Sequence, residues 1–236
     1  MIPAGFILVR VGEEGDPRSF VELRREGERE GRGVRCDLAA ISLRGGRAEA
    51  RAMPVVKAVG EARTVVDATA GLLGDAFLLA AAGLRVTAIE RSAVVFALAE
   101  DGLARARRDV RLADLVGDRI ELVRGDAREW LAAHAGGVDA PDAVVIDPMF
   151  PPKKKVSALP RKEMVVLREL VGSDEDAAEL LEVARKCARM RVALKRGDDG
   201  VELGEPEWTI GGTTVRYDIW RASPAPARGL PPGRTR

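Results

Sequence analysis

Thr64-Val65-Val66-Asp67-Ala68-Thr69-Ala70-Gly71-Leu72-Leu73-Gly74-Asp75 passes from a short apolar segment, through a loop holding two glycines, into residues that suit a helix. Thr64 to Ala68 reads as a buried strand, and Asp75 to Ala82 as a helix ended by Gly83. The alternation continues downstream. Arg85 to Glu90 is a second strand, and Ser92 is placed to cap a helix that runs to about Arg108. Arg119 to Val123 is a third strand and Ala127 to His134 a helix; Ala143 to Ile146 is a fourth strand. Asp174 to Ala188 begins acidic and ends basic, as the helix dipole favours, and Arg191 to Lys195 is a fifth strand. Glu207 to Ile210 and Val215 to Trp220, joined across Gly211-Gly212, read as a hairpin. Repeated strand–helix units imply an α/β, Rossmann-like, mostly parallel sheet with helices on both faces, finished by an antiparallel C-terminal hairpin.

Working outward, residues 1–60 form a small mixed, β-rich N-terminal region, 61–222 the main domain, and 223–236 a tail. Gly5 to Val9 and Val34 to Leu38 look like short strands, and Arg51 to Gly60 like a helix with Pro54 near its start. The tail, with four prolines, two glycines and three arginines from Ser223 to Arg236, has nothing to bury and is expected to be disordered. The 236 residues are 46% hydrophobic, enough for a sizeable core, and 32% charged with a net charge of +1. Any nucleic-acid site must therefore be a local basic patch, since no global field attracts a polyanion. Cys36 and Cys187 lack metal-ligand spacing and read as reduced thiols. His134 has no partner motif and suits a helix C-terminus. The sequence shows no metal site, no apolar run of membrane length and no signal peptide, so a cytoplasmic protein without a membrane partner is expected.

Three carboxylates, Asp67, Glu90 and Asp147, fall at or near the ends of successive strands. In open α/β sheets that edge is where ligands bind. Gly71 and Gly74 let the loop backbone come close to a ligand. Glu90 follows Asp67 by twenty-three residues, a spacing common for acids that bind ribose hydroxyls. The same pairing suits a nicotinamide dehydrogenase, but the loop lacks the G-x-G-x-x-G that cradles a pyrophosphate, and Asp67 and Asp75 would repel one. Those acids suit a ligand with a cationic amino-acid end, which points to S-adenosylmethionine. Asp126, or the amide of Ala127, is placed to meet the adenine edge, and Asp126 also suits a helix cap.

Asp147-Pro148-Met149-Phe150 follows the fourth strand and joins a carboxylate, a rigid turn and an aromatic ring. Carbonyls around Pro148 suit the hydrogens of an exocyclic amine, and Phe150 suits stacking on a base. Lys153-Lys154-Lys155, with Arg161-Lys162 close behind, is placed to hold phosphates flanking a target nucleotide. The segment between Pro151 and Pro160 reads as a loop ordered by substrate.

Several stretches recur in one family: Asp67-Ala68-Thr69-Ala70-Gly71, Asp75-Ala76-Phe77, Glu90-Arg91, Asp101-Gly102-Leu103-Ala104-Arg105 and Asp147-Pro148-Met149-Phe150-Pro151. So do Ser157-Ala158-Leu159, Lys162-Glu163-Met164, Leu170-Val171-Gly172, Asp174-Glu175-Asp176-Ala177, Val192 to Arg196 and Tyr217-Asp218-Ile219. The chain, over roughly residues 45–220, resembles the bacterial small-subunit (16S) ribosomal RNA guanine-N2 methyltransferases of the RsmJ type.

The resemblance implies a class I methyltransferase fold, for which a terminal hairpin is the usual finish, with small-subunit RNA or the 30S particle as partner. It implies cofactor contacts at Gly74-Asp75, Glu90-Arg91, Asp126-Ala127 and Asp147, beside the Asp67 and Gly71 that the loop itself offers. It places Met149 with the basic residues on the RNA side. With guanine N2 as the target, Asp147 and the Pro148 carbonyl are expected to accept its two protons while Phe150 stacks on the base. The loop departs from the family: its Gly-Leu-Gly-Arg-Asp is here Gly71-Leu72-Leu73-Gly74-Asp75, and its Ser-Ser pair is Asp126-Ala127. If position 73 needs positive φ, a side chain there would crowd the methionine end, and Gly74 would supply the freedom one residue later. Two other readings fit the residues: an amino-methyltransferase on DNA adenine or cytosine, and a catalytically silent RNA-binding module.

Overall fold

The computed structural model describes residues 2–13, 15–149, 162–172, 174–197, 202–211 and 215–223. Phe150, Lys153, Lys154, Lys155 and Arg161 lie outside the described residues, as do the side chain of Lys162, the 151–160 loop and nearly all of the tail.

Seven strands form the main sheet: β3 (Thr64–Asp67), β4 (Arg85–Glu90), β5 (Ile120–Arg124), β6 (Ala143–Ile146), β7 (Arg191–Arg196), β8 (Trp208–Gly211) and β9 (Arg216–Arg221), in the order β5-β4-β3-β6-β7-β9-β8. The first five are parallel, and β9 runs antiparallel to both β7 and β8. The reversal of strand order between β3 and β6 opens the crevice in which such sheets bind ligands.

Successive strand side chains point to opposite faces, which explains the continuous apolar runs of strands buried on both sides. Val65, Val145 and Ala193 join one core with α2 (Pro54–Val59) and α3 (Gly74–Ala82). Val66, Val144 and Val192 join the other with α6 (Ala127–His134) and α8 (Ala177–Cys187). Ser92 caps α4 (Ala93–Arg108), accepting from Val95 N at 3.4 Å. His134 ends α6, where its Nδ1 lies 2.7 Å from the Trp130 carbonyl and its ring stacks on Trp130.

The N-terminal region departs from expectation. Its hairpin pairs β1 (Phe6–Val11) with β2 (Phe20–Arg25). The expected strand 34–38 is a single bridge from Val34 to Leu23, followed by a 3-10 turn at Leu38–Ala40. The buried Glu22 side chain holds the approach to that bridge, accepting from the Gly31 and Gly33 amides at 3.0 and 2.9 Å. Cys36 then packs where a Cβ on Gly102 would lie 2.3 Å from its sulfur, so α4 admits this segment only at a glycine.

The expected helix 51–60 is two helices, α1 (Gly46–Ala52) and α2, parted at an extended Met53. Pro54 disfavours helical backbone in the residue before it and starts α2 instead. Two further helices, α5 (Ala113–Val116) and α7 (Lys162–Val171), were not expected, and the helix expected from Asp174 starts at Ala177. The hairpin is not separate from the rest: Phe6, Leu23 and Val34 share a core with Val94 and Leu98 of α4 and Val166 of α7.

Candidate active site

A cavity opens at the carboxyl ends of the central strands. Gly71, Glu90, Arg91, Asp126, Ala127, Asp147 and Met149 all line it. Ile89, Val95, Leu167, Val171 and Leu180 add apolar walls. Of the residues expected to hold a cofactor, Asp67, Gly74 and Asp75 are not part of this lining. They lie beside it, at the end of β3 and the start of α3.

Glu90 fixes the loop to the sheet. Its carboxylate is buried and accepts from Gly71 N at 3.0 Å and from Ser92 N at 2.7 Å, through different oxygens. Burial raises its pKa above the ordinary value, against the opposing pull of these two amides. Each carboxylate oxygen has two lone pairs, so both keep acceptor capacity for a vicinal diol.

Gly71 and Leu73 both adopt positive φ, at 51° and 63°, and Leu73 is the one non-glycine residue to do so among those described. The expectation that Gly74 would carry this freedom is corrected: Gly74 is the first residue of α3 and is not among the positive-φ positions. Leu73 tolerates the left-handed turn because its side chain is fully buried in the core under the loop. It does not line the cavity, so it does not crowd a ligand there.

Asp126 caps α6, accepting from Arg128 N at 2.8 Å, and both its oxygens also take the Arg128 guanidinium. That pairing holds its carboxyl below the ordinary value. The Asp126 side chain is thus already engaged. The Ala127 amide, at the first turn of α6, has no intrahelical acceptor and is the better donor to a ligand's ring nitrogen. Arg91 and Arg128 are in turn joined to the segment before α8: Arg91 pairs with Asp174 and with Asp176 (2.8 Å), and Arg128 with Asp176 (3.3 Å) and Glu179. This network closes one side of the cavity. The sequence reads the acids at 174–179 as a helix start and a recurring stretch and gives them no part in the site, because their partners lie about fifty to eighty-five residues away.

The Asp147-Pro148-Met149 backbone is pinned on both sides of the proline. Asp147 N donates to Thr69 Oγ1 at 2.6 Å, and Met149 N to Asp174 Oδ2 at 2.7 Å, while Asp174 N returns a bond to the Met149 carbonyl at 3.1 Å. Pro148 is buried between them.

Asp147 also belongs to a polar cluster that sequence reading missed. Lys195 Nζ lies 2.8 Å from Asp147 Oδ2 and 3.0 Å from Asp75 Oδ2, and the Tyr217 hydroxyl donates to Asp75 at 3.4 Å. Asp67 is buried beside them, accepting from Thr69 N at 3.2 Å. Burial, with Asp75 nearby, pushes the Asp67 carboxyl up to about 7. Surrounding protein raises Asp147, against the pull of Lys195, although solvent still reaches its side chain. Burial works to lower the Lys195 ammonium, but Asp147 and Asp75 outweigh it and hold its pKa above that of an ordinary lysine. Burial and Asp75 likewise keep the Tyr217 phenol protonated. The sequence reads Arg191 to Lys195 and Val215 to Trp220 as strands, and Val192 to Arg196 and Tyr217 as recurring stretches, but neither reading points to the site.

The residues fit S-adenosylmethionine. Carboxylates beside the cavity suit its cationic methionine end, Glu90 its ribose, and the apolar walls with the Ala127 amide its adenine. They do not fit a pyrophosphate. Among the described residues, no group of three or more His, Cys, Asp or Glu could hold a metal ion. No described helix is long and apolar enough to cross a membrane.

Comparison with known proteins agrees. The family model described as "Putative SAM-dependent methyltransferase" matches residues 16–222. The chain belongs to this family. The cofactor of these methyltransferases is S-adenosylmethionine, and the fold above is that of class I enzymes. A ribosomal RNA small subunit methyltransferase J of Thioalkalivibrio sulfidiphilus is 45% identical over 186 residues, 76% of this chain and 72% of the relative. One of Nitrosococcus oceani is 44% identical over 187 residues, 77% of this chain and 72% of the relative. The crystal structure of a SAM-dependent methyltransferase from Neisseria gonorrhoeae superposes with a TM-score of 0.67 at 33% identity, covering 86% of this chain and 80% of that one.

Proposed function

We propose that this methyltransferase modifies the exocyclic N2 of a guanosine in small-subunit ribosomal RNA, in the cytoplasm where that RNA is made and assembled. The observation that carries this reading is the pinned Asp147-Pro148-Met149 segment on the wall of the cofactor cavity. The names of the relatives supply the substrate class.

When bound, the cofactor supplies a methyl group on a sulfonium. The rest is done by this chain. Glu90 and the Ala127 amide hold the nucleoside end, and Gly71 and Gly74 with Asp67 and Asp75 hold or face the methionine end. Arg91 and Asp126 fix the walls through their ion pairs. A guanine amino group is a weak nucleophile because its lone pair is delocalised into the ring. Asp147 and the Pro148 carbonyl accept its two hydrogens, turning the lone pair toward the methyl. On methylation the amine must shed one proton, and Asp147 takes it. Phe150 stacks on the base, Met149 borders it, and Lys153, Lys154, Lys155, Arg161 and Lys162 hold flanking phosphates.

The test is transfer of labelled methyl to small-subunit particles that lack their own modifications, followed by nucleoside analysis. Labelled N2-methylguanosine is the expected product. Label on adenine or cytosine, or transfer to DNA and not to these particles, would overturn the reading. A Lys153→Ala, Lys154→Ala, Lys155→Ala variant should bind RNA more weakly and with a shallower salt dependence.

A further inference from the structure

Lys195 touches two of the acids of the site. Its position follows from the sheet. β6 and β7 are parallel neighbours with Ile146 opposite Leu194, so the next residues along, Asp147 and Lys195, emerge side by side at the active edge. One ammonium bridges Asp147 Oδ2 (2.8 Å) and Asp75 Oδ2 (3.0 Å). We propose that Lys195 is a positioning residue for methyl transfer, which orients Asp147 and keeps it an anion ready to take the proton from the target amine. This rests on the reading of Asp147 as that acceptor.

The surroundings of Asp147 explain why a cation is needed. Asp67 faces it from β3, Asp75 from α3 and Asp174 from the segment before α8, with Tyr217 of β9 joined to Asp75. Among the described residues, Lys195 is the cation in hydrogen-bond contact with Asp147. Crowded carboxylates do not all ionise, and an acid that has already taken a proton is no acceptor. Lys195 is itself no base, because Asp147 and Asp75 hold it charged against the effect of burial. It acts only through its neighbours. Its side chain is 22% exposed while that of Asp147 is 44% exposed, which leaves the acid, and not the lysine, the more open to an incoming base.

The experiment compares wild type with Lys195→Met and Lys195→Arg. In cofactor-free protein, the Asp147 carboxyl carbon is titrated by NMR. In Lys195→Met its pKa should rise by about 1–3 units, the usual effect of losing an adjacent opposite charge. In turnover, the acid limb of kcat should move to higher pH by the same amount, so that kcat measured on that limb, below both pKa values, falls roughly 10- to 1000-fold and recovers as pH rises. KM for RNA should stay within about threefold, and Lys195→Arg should restore the limb. If thermal unfolding shows that Lys195→Met has lost its fold, Lys195→Gln, which keeps hydrogen-bond donors without charge, takes the same measurements. An unchanged Asp147 titration, or a loss of kcat that neither high pH nor arginine restores, would overturn the proposal. Asp147→Asn separates the two levels. Full activity in that variant removes Asp147 from the reaction and with it the reading beneath. An inactive Asp147→Asn beside an unchanged titration in Lys195→Met leaves the reading standing and the lysine's role refuted.

Discussion

Arg25 and Glu169 meet as a bidentate pair, with Nη1 3.2 Å from Oε1, and join the end of β2 to the helix whose Leu167 and Val171 wall the cofactor cavity. Both side chains are about half exposed, and pairs of that kind contribute about 0–1 kcal/mol. The attachment of the hairpin rests instead on the apolar core in which Leu23, fully buried, joins Val166. Glu169→Ala should therefore change unfolding free energy by less than about 1 kcal/mol. Leu23→Ala should cost about 2–5 kcal/mol and loosen α7 enough to weaken cofactor binding. Denaturant unfolding and calorimetric titration of both variants check this.

Glu90→Gln tests the cofactor cradle. The amide keeps one acceptor oxygen where the carboxylate used both, so either Gly71 N or Ser92 N loses its partner. Charge-assisted hydrogen bonds of this kind contribute about 1.5–3 kcal/mol, so cofactor affinity should fall roughly 10- to 100-fold. Titration calorimetry with S-adenosylmethionine reads the change directly; undiminished affinity would remove Glu90 from the cradle.

Leu73→Gly sets backbone relief against packing. The left-handed φ of 63° costs a residue with a side chain about 1–2 kcal/mol, which glycine recovers. The buried leucine side chain is worth about 2–5 kcal/mol. Packing wins, and the variant should unfold more easily, with cofactor affinity little changed because the side chain faces the core and not the cavity. Affinity lost as steeply as stability would contradict this placement.

Asp67 predicts a slope in stability against pH. Its carboxyl is pushed up from 3.8 to about 7 in the folded protein. Within that window the folded chain holds a proton that the unfolded chain has released. The contribution of Asp67 to stability is therefore fully present below the lower value and is lost as pH rises through the upper one. Melting temperatures of wild type and Asp67→Asn, measured across this range, should converge at the acid end, with the variant flatter toward neutral pH.

The fold was legible where local signals agree with tertiary placement. The strands at Arg85–Glu90 and Ala143–Ile146 and the helix at Ala127–His134 fall where their patterns put them, because apolar runs, caps and glycine stops all point the same way. β2 was missed because only Val21 and Leu23 alternate there before two arginines, too short a pattern to read, and the 51–60 helix, expected with Pro54 near its start, begins at Pro54 itself, with the residues before it in a separate helix. In the site, Gly71, Glu90, Asp126 and Asp147 could be named because they stand at strand ends, a position that sequence reveals. Lys195 could not. It sits within an ordinary-looking strand, and its importance comes from a register with β6 and from acids 48 and 120 residues away.

That separation has a consequence for how the protein is made. Synthesis delivers Asp67, Asp75 and Asp147 before the lysine that bridges two of them. A nascent chain that brought β3 and β6 together early would gather three acids with no counter-charge, in a place where burial already favours the protonated form. The active edge can settle only once β7 has left the ribosome and docked. The charge balance of this edge is therefore set by the order in which strands join the sheet, and β7 brings the cation that completes it.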